Sequence, residues 1–270
     1  MPFSDLALSR RLEHAEGFAC AQFAEASHRL YPDRGSEWIE CAGVYAVFNG
    51  VDSPITQTFG LGLSEEWNES WLDSIEQFFL SHKAPVFHEV SPFAGPEVLD
   101  ILCKRNYRPV EISNVLYRSV DQPTDTLQAP ISVRVVTQEE AQLWSDISAR
   151  GWSHDHPEYL EFLLEAGSIA VASRKNRCFL ASYDGVPGAA GALFLNNGIA
   201  LFGGAATVPE LRRRGLQTAL LHERMRYAFD HACDIAMMVA LPGSDSQRNA
   251  ERKGFRIAYT RTKWKLSLPD

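Results

Sequence analysis

The chain of 270 residues lacks several features that would mark a membrane, secreted or metal-binding protein. No apolar run approaches the ~20 residues of a membrane-spanning helix, so we expect neither an integral membrane protein nor a membrane partner. The first residues lack the basic-then-apolar order of a secretory signal. The cysteines are odd in number and form no Cys-x-x-Cys pair, which disfavours a disulfide framework and a zinc site. We therefore predict a cytoplasmic protein without metal, whose thiols are reduced and buried: Cys20, Cys41, Cys103, Cys178 and Cys233.

Positive charge is scarce as well, because 26 Lys and Arg stand against 34 Asp and Glu, for a net charge of −8. The deficit lies in residues 1–130, which hold 9 basic and 19 acidic side chains, whereas residues 131–270 hold 17 and 15. Sequence-independent binding to nucleic acid depends on many Lys and Arg that neutralise phosphates. We therefore predict no nucleic-acid partner, although the second half remains able to attract a small anion.

The two halves of the chain end in a similar way. Residues 90–108 and 239–256 each show an apolar strand, a Pro/Gly break, a short helix and a basic pair. An aromatic residue then follows Asn106 in one half and Gly254 in the other. Asn and Gly are the residue types that best tolerate positive φ, which suits the end of a helix before a new strand. We interpret the similarity as an internal duplication; a chance likeness of two strand–helix–strand units is the alternative.

A boundary falls between these halves at residues 121–130. The segment is polar, contains two prolines and has no hydrophobic period, so it is interpreted as a linker. We therefore predict one domain at residues 1–120 and a second at residues 131–270.

Hydrophobic patterns predict the order of elements in the second half. Thr137 and Glu140 have the spacing of a capping box at a helix start, and Asp184-Gly185 is a hairpin turn signal. Hairpin strands followed by a crossover helix imply a mixed sheet covered by helices. The predicted strands are 131–136, 178–183, 188–195, 199–207, 235–241 and 255–266, and the predicted helices are 137–150, 157–166, 213–232 and 244–253. In the longest helix one continuous face is expected to pack on the sheet: Leu221, Met225, Ala228, Phe229 and Ala232.

A basic loop precedes that longest helix. Arg212, Arg213 and Arg214 are followed by Gly215, where the helix begins. The first turn of a helix has N–H groups without partners and the positive end of the macrodipole, so it attracts phosphate. Glycine lets a diphosphate approach those amides, and arginine adds bidentate contacts. A solvated basic turn is the alternative; a Walker-type loop is disfavoured because Gly-Lys-Ser/Thr is missing.

This stretch resembles the coenzyme-A-binding signature of the GNAT superfamily of N-acetyltransferases, Gln/Arg-x-x-Gly-x-Gly/Ala after a strand and a Pro. Pro209 is followed at that family's spacing by Arg212, Arg214 and Gly215, and Asn249 with Gly254-Phe255 continues the likeness. The resemblance covers residues 131–270 well and extends to 1–120 as a degenerate copy. It implies an α/β (α+β) fold class with two GNAT-like domains, each a mixed, largely antiparallel sheet flanked by helices.

The resemblance also implies a reaction and a set of binding residues. Acetyl-CoA is the expected cosubstrate, and a neutral primary amine of a small molecule or peptide is expected to attack its thioester directly, without an acyl-enzyme. The strand end at 206–208 is expected to supply N–H groups for the developing oxyanion. The residues implied to bind the coenzyme are Ala206, Thr207, Val208, Arg212, Arg213, Arg214, Gly215, Leu216, Gln217, Thr218 and Asn249.

Two positions depart from the family pattern. Gln217 stands where the signature ends in Gly or Ala, so the backbone there approaches phosphates less closely or the amide side chain contacts them. Ala250 stands where family members often carry the Tyr that protonates the departing thiolate. Another group or solvent is therefore expected to supply that proton.

The first half lacks the basic loop. From Phe59 to Val86 there are 27 residues, against 33 from Phe202 to Ile235, and the shortfall falls at the phosphate loop. The segment 64–70 holds three carboxylates and no arginine there, and negative charge repels diphosphate. We predict that this half folds like the second without binding coenzyme. Walling the acceptor pocket and structural support are both open as its role.

No residue is assigned as general base or acid from the pattern alone. A positioned base contributes ~10²–10⁴-fold to such a step, and the candidates are weak. His154 lies in the acceptor-pocket position of the family, although the loop it shares with Asp155 and His156 is equally well a polar helix start. Ser246 could relay a proton, whereas a Ser at this place is more often an N-cap. The other residues considered are Glu89 and His88 in the first half, Ser244, and Trp144 and Trp152 as pocket or core aromatics.

The sequence therefore predicts a tandem GNAT-type N-acetyltransferase whose second domain is active. A non-catalytic acyl-CoA sensor or scaffold is the main alternative, supported by Ala250. A structural partner protein is the third, and it requires the arginine loop to be incidental. A homodimer is left open.

Overall fold

A computed structural model describes residues 2–122, 129–154 and 157–267. Residues 123–128 of the predicted linker at 121–130, and the pair Asp155 and His156, lie outside the described residues. The chain forms two compact units. The first unit combines the residues up to Arg118 with those from Met237 onward, and the second unit comprises Ser119–Ala236.

Helices and strands are interspersed along the chain. In chain order they are α1 (Leu6–Leu30), β1 (Glu37–Cys41), β2 (Val44–Phe48), β3 (Gln57–Phe59), α2 (Ser70–Ser81), β4 (Phe87–Val90), α3 (Pro96–Lys104), β5 (Tyr107–Ser119), β6 (Ile131–Val135), α4 (Ala141–Ser153), α5 (Leu160–Ala172), β7 (Asn176–Tyr183), β8 (Val186–Asn196), β9 (Ile199–Thr207), α6 (Leu216–Asp230), β10 (Ile235–Ala240), α7 (Asp245–Arg252) and β11 (Arg256–Leu266).

The first unit contains a mixed sheet in the order β1-β2-β3-β4-β11-β5. The β3–β4 pair is parallel and the other pairs are antiparallel, so the predicted mixed, largely antiparallel sheet is confirmed. Helix α2 buries Leu72, Ile75 and Phe79 in a core with residues of β2 and β4, among them Val44 and Val90. Burial of such apolar side chains is the main favourable contribution to folding.

The second unit contains the antiparallel order β9-β8-β7-β6, covered by α4, α5 and α6. Its core includes Trp144, Ile147, Leu180 and Val208. The capping box that begins the α4 region is formed by Thr137 and Glu140, as the sequence predicts. The predicted strands of this unit are confirmed to within about two residues at each end.

The predicted buried face of α6 is partly wrong. Met225 and Ala228 are buried, but Phe229 is 39% exposed and Ala232 lies beyond the end of the helix. The helix instead buries Leu216, Ala219, Leu220, Glu223, Arg224, Met225 and Ala228. Because the charged residues Glu223 and Arg224 lie on the buried face, a hydrophobic pattern alone does not identify that face.

Residues 237–270 contribute to the first unit, whereas the sequence assigns them to the domain at 131–270. Strand β11 pairs with β4 on one side and with β5 on the other. Pairing between segments so far apart in sequence is set by tertiary contacts, and local periodicity carries no signal for it. The predicted positive φ angles are confirmed at 65° for Asn106 and 83° for Gly254.

The prediction that all five cysteines are buried is wrong, because only Cys178 and Cys233 are. Cys20 and Cys41 are half-buried and Cys103 is exposed, and all five are free thiols. Among the described helices, none is long and apolar enough to cross a bilayer.

Candidate functional site

The basic loop connects β9 to α6 in the second unit. Val208 is buried, and its N–H donates to the carbonyl oxygen of Gly188 at 2.9 Å. A short 3-10 turn at Pro209–Leu211 follows, and the side chain of Leu211 packs where a Cβ on Gly188 would stand, 2.2 Å from its Cδ1. The loop therefore leaves the sheet along a closely packed path before it reaches the arginines.

The backbone of the loop adopts positive φ at two of its residues. Arg213 has a φ of 62° and Gly215 a φ of 83°, whereas Arg214 between them is not in the positive region. Successive N–H groups in a turn of this kind can point toward one side and form a concavity that binds anions. A positive φ is unfavourable for arginine, and such strain clusters at functional sites.

The start of α6 leaves its N–H groups open to a ligand. Gly215 is the N-cap and provides no side-chain cap, and the first turn contains no acidic residue. Helix N-termini have N–H groups without intrahelical partners and carry partial positive charge. A Cβ on Gly215 would meet Ile131 Cδ1 at 3.3 Å, so a side chain at this position would pack tightly against Ile131. The glycine is thus required by both the backbone angle and the space.

The three arginines are all exposed but differ in their contacts. Arg212 donates from Nε to the carbonyl oxygen of Thr207 at 3.3 Å and from Nη2 to that of Gly151 at 3.2 Å. The guanidinium of Arg214 lies 4.9 Å from the centre of the Tyr183 ring. Arg212 therefore fixes the loop, and Arg214 is held beside it by a cation–π contact.

Gln217, the departure in the signature, ties the helix start to the end of the strand. Its Nε2 donates to Thr207 Oγ1 at 2.7 Å. This contact gives the amide a structural role at the position where the family has Gly or Ala. It also places Thr207, Arg212, Gly215 and Gln217 in one connected group.

A bulge in β9 provides a second open stretch of backbone. Ala206 pairs with Ala190 of β8 and Gly203 pairs with Ala192, so two residues of β9 oppose one of β8. Gly204 in the bulge has a φ of 57°. Gly203 and Gly204 are exposed although they lie in a strand, and a Cβ on Gly203 would meet no atom within 4 Å. Bulges leave backbone groups unpaired and are common beside active sites.

The bulge offers an alternative to the oxyanion donors expected at 206–208, which stay a prediction. The N–H of Val208 already donates within the sheet, so it is not available. The signal for the bulge was present in the Gly203-Gly204 pair, because glycine inside a strand often marks a bulge or a close approach. The sequence interpretation missed it.

Helix α4 ends against the same part of β9. A Cβ on Gly151 would stand 2.7 Å from Ala206 Cβ and 2.9 Å from the backbone nitrogen of Thr207. His154, an exposed residue, is the C-cap of this helix and lies three residues after Gly151. Trp144 is buried and donates to the carbonyl oxygen of Phe179 at 3.0 Å, which agrees with a core role, whereas Trp152 is 51% exposed.

The other predicted site residues belong to the first unit. Asn249 and Ser246 are exposed on α7, Ala250 is buried there, and Ser244 is the N-cap of that helix, which supports the capping alternative. None of the residues predicted to bind coenzyme lines the cavity of about 410 Å³ in this unit, which is bordered by Glu25, His28, Arg29, Ser36, Glu37 and Trp38.

Glu89 and His88 are buried side by side in β4 but have different surroundings. Glu89 forms ion pairs with Arg261 at 3.1 Å and Lys263 at 3.4 Å, and burial raises the pKa of its carboxyl. His88 hydrogen-bonds Thr58 Oγ1 at 2.7 Å and the Tyr107 hydroxyl at 2.9 Å, and burial lowers its pKa to about 3. Both side chains are therefore held by protein partners.

Comparisons with known proteins agree with the geometry of the second unit. Residues 140–255 match the model of the acetyltransferase (GNAT) family. No curated protein matches the chain in sequence.

Solved structures with the same fold include proteins of that family. A GCN5-related N-acetyltransferase from Kribbella flavida has a TM-score of 0.63 at 17% identity, covering 93% of this chain and 96% of its own. A tandem GNAT protein from the clavulanic acid biosynthesis pathway has a TM-score of 0.58 at 13% identity, covering 84% and 79%. A GCN5-related N-acetyltransferase from Sphaerobacter thermophilus gives 0.53 at 14% identity, covering 87% and 77%. At these identities the likeness concerns the fold.

Proposed function

We propose that the chain transfers an acetyl group from acetyl-CoA to a primary amine of a small molecule or peptide, a proposal that the match of residues 140–255 to the acetyltransferase (GNAT) family model supports. The observation that carries the proposal is the loop at 212–217. It combines an N-cap glycine without a capping side chain, a backbone with positive φ at Arg213 and Gly215, and three exposed arginines. Each of these favours a diphosphate.

The roles of the loop residues follow from their contacts. The N–H groups at the start of α6 would bind phosphate oxygens, while Arg213 and Arg214 would add charge-assisted hydrogen bonds. Arg212 and Gln217 would hold the loop in shape, because both are hydrogen-bonded to Thr207. Asn249, Ala206, Leu216 and Thr218 stay predicted contacts of the coenzyme.

The proposed reaction needs little covalent participation by the protein. The lone pair of a neutral amine attacks the thioester carbonyl, a C–N bond forms and the C–S bond breaks. The amine loses one proton, and the departing thiolate gains one. The protein aligns the reactants and stabilises the negative charge that develops on the carbonyl oxygen. The backbone N–H of Gly204, an exposed residue of the bulge, is the donor that we propose for that oxygen.

The reaction needs a base that takes the proton of the amine and an acid that protonates the thiolate. His154 is the proposed base of the second unit, since it ends α4 one turn after Gly151, which contacts Ala206 and Thr207. Ala250 offers no proton to the thiolate, so water is the proposed donor there.

A non-catalytic acyl-CoA sensor is the second candidate, and Ala250 is the observation that favours it. Calorimetry with acetyl-CoA, followed by thiol release across a library of primary amines, separates the two. Binding with turnover on at least one amine supports the enzyme, whereas tight binding without turnover on any amine supports the sensor. Absence of binding would contradict both and favour a structural role.

A further inference from the structure

Arg224 is a buried arginine of α6 in the second unit. Its side chain is 2% exposed. Nη1 donates to the carbonyl oxygens of Ala192 at 2.9 Å and Gly203 at 3.3 Å, and Nε donates to that of Leu220 at 3.2 Å. Ala192 and Gly203 are paired residues of β8 and β9 at the edge of the bulge. A bulge deprives carbonyls of their ladder partners, and buried carbonyls need other donors.

The guanidinium is not neutralised by a carboxylate. Among the described residues no acidic side chain forms an ion pair with Arg224, and the neighbouring Glu223 pairs with Arg226 and His222 instead. Burial lowers the pKa of Arg224 to about 10, which leaves it charged at neutral pH. A buried charge without a counter-ion is costly, and an apolar side chain of similar length would fill the same space at no such cost.

The surrounding residues accommodate this charge. A Cβ on Gly191 would stand 3.1 Å from Arg224 Cζ, so glycine at this position leaves room for the guanidinium. The Phe202 ring lies beneath it, with its centre 5.0 Å from Cζ. The charge is therefore held in one place by three carbonyls and one aromatic face.

Arg224 acts on the bulge through a single peptide unit. The carbonyl of Gly203 and the N–H of Gly204 belong to the same planar trans peptide, so they point in opposite directions. A hydrogen bond to the Gly203 oxygen fixes the direction of the Gly204 N–H and strengthens it as a donor, because linked hydrogen bonds polarise one another. We propose that Arg224 is a positioning residue that orients and polarises the Gly203–Gly204 peptide toward the thioester carbonyl of bound acetyl-CoA. This inference rests on the proposed acetyltransferase function.

The test uses acetyl-CoA labelled with ¹³C at the thioester carbonyl, observed by infrared difference spectroscopy on the full chain. In the wild type the carbonyl band should shift to lower frequency on binding, because the N–H of Gly204 polarises the bond. In Arg224→Met at least half of that shift should be lost, while the Kd for coenzyme A, measured by calorimetry, stays within about threefold. No amine acceptor is needed for this measurement.

Kinetics give a second readout, with hydroxylamine as the acceptor. Arg224→Met should lower kcat at saturating acetyl-CoA at least tenfold with little change in KM, and Arg224→Lys, which keeps the charge, should recover part of it. Arg174→Met, at an exposed arginine between α5 and β7, is the control and should behave as wild type. If Arg224→Met does not fold, Gly191→Ala takes its place in both measurements. The added methyl displaces the guanidinium while the arginine stays in the chain.

The outcomes separate this inference from the proposed function. No binding of acetyl-CoA to the wild type contradicts the function itself. Binding without a band shift in the wild type, or an equal shift in wild type and variant, overturns the role of Arg224 and leaves the function standing. A parallel loss of coenzyme A affinity in Arg224→Met also overturns it, because Arg224 would then support the loop.

Discussion

The two units use the same strand–loop–helix order with opposite chemistry at the loop. In the second unit, α6 begins at a glycine without a cap, after three arginines. In the first unit, α2 begins after Glu65, Glu66 and Glu69, and the Asn68 side chain accepts the N–H of Ser70 at 3.0 Å. Capping and negative charge stabilise a helix start but close it to anions. The comparison shows how one arrangement stabilises a helix and the other leaves it open for a ligand.

The space at the two loops differs as well. A Cβ on Gly62 of the first unit would stand 2.6 Å from Val98 Cγ2 and 3.0 Å from Ala94 Cβ. Neighbouring side chains therefore pack directly against that loop. Arg105 also forms ion pairs with Glu69, Asp73 and Glu76, so carboxylates at the start of α2 are held by a protein cation.

The buried arginines extend the comparison. Arg261 of the first unit is 2% exposed, as Arg224 is, but it forms ion pairs with Glu13 at 3.0 Å, Glu16 at 2.7 Å and Glu89 at 3.1 Å. Arg224 contacts carbonyl oxygens and the Phe202 ring, and it forms no ion pair with a carboxylate among the residues described. Arg261 therefore neutralises carboxylates inside the first unit, whereas Arg224 keeps its charge beside the bulge of β9.

The largest expected effect is on the stability of the first unit. Arg261→Met leaves the buried Glu13 and Glu89 and the half-buried Glu16 near one another without their shared cation, which should cost about 3–5 kcal/mol of unfolding free energy. Urea unfolding followed by circular dichroism measures it. Arg118→Met, at a more exposed arginine of the same unit, is the control. A loss below about 1 kcal/mol would show that the network contributes little.

The next effect concerns the open helix start. Gly215→Glu should raise the Kd for acetyl-CoA at least about 100-fold, equivalent to about 2.7 kcal/mol. The carboxylate repels phosphate, and the side chain strains a backbone with a φ of 83°. Gly185→Glu is the matched control, because Gly185 has a φ of 77° in an open hairpin turn. Unchanged affinity in Gly215→Glu, by calorimetry, would mean that another loop holds the diphosphate.

A smaller effect is expected from a single arginine of the loop. Arg214→Ala should weaken acetyl-CoA binding about tenfold, or about 1.4 kcal/mol, since one charge-assisted contact is lost. The difference from wild type should shrink as salt rises, because the contact is exposed and screened. Titrations at low and high ionic strength measure this. A salt-independent loss would indicate a change in loop structure instead.

The smallest effect is expected from reversing charge in the first unit. The double substitution Glu65→Lys and Glu66→Lys should not create acetyl-CoA binding there, because the Asn68 side chain still accepts the N–H of Ser70 and Val98 still packs against the loop. Calorimetry on a chain that also carries Gly215→Glu isolates this unit. Appearance of a binding heat would show that charge alone separates the two loops.

Most elements of the second unit could be predicted from local sequence. Hairpin turns, alternating strands and the capping box at Thr137 are encoded by neighbours in the chain, and so is the basic loop. The positive φ of Asn106 and Gly254 follows from residue type. These features were predictable because each depends on a few adjacent residues.

The remaining features depend on residues far apart in sequence. A hydrophobic pattern treats Arg224 and Arg261 as surface residues, because their burial depends on partners in other elements. The pairing of β11 with β4 and β5 has no local signal. The bulge at Gly204 was hinted at by two glycines, but its register requires knowing where β8 lies.

The position of β11 between β4 and β5 also constrains how the protein is made. On the ribosome, β4 and β5 emerge well before residues 256–266, and their sheet has a gap until that last segment is translated. At ~5–20 residues per second the delay is on the order of ten seconds. During that interval the nascent first unit exposes strand edges that can pair wrongly, so chaperone demand should be concentrated before residues 256–266 are translated.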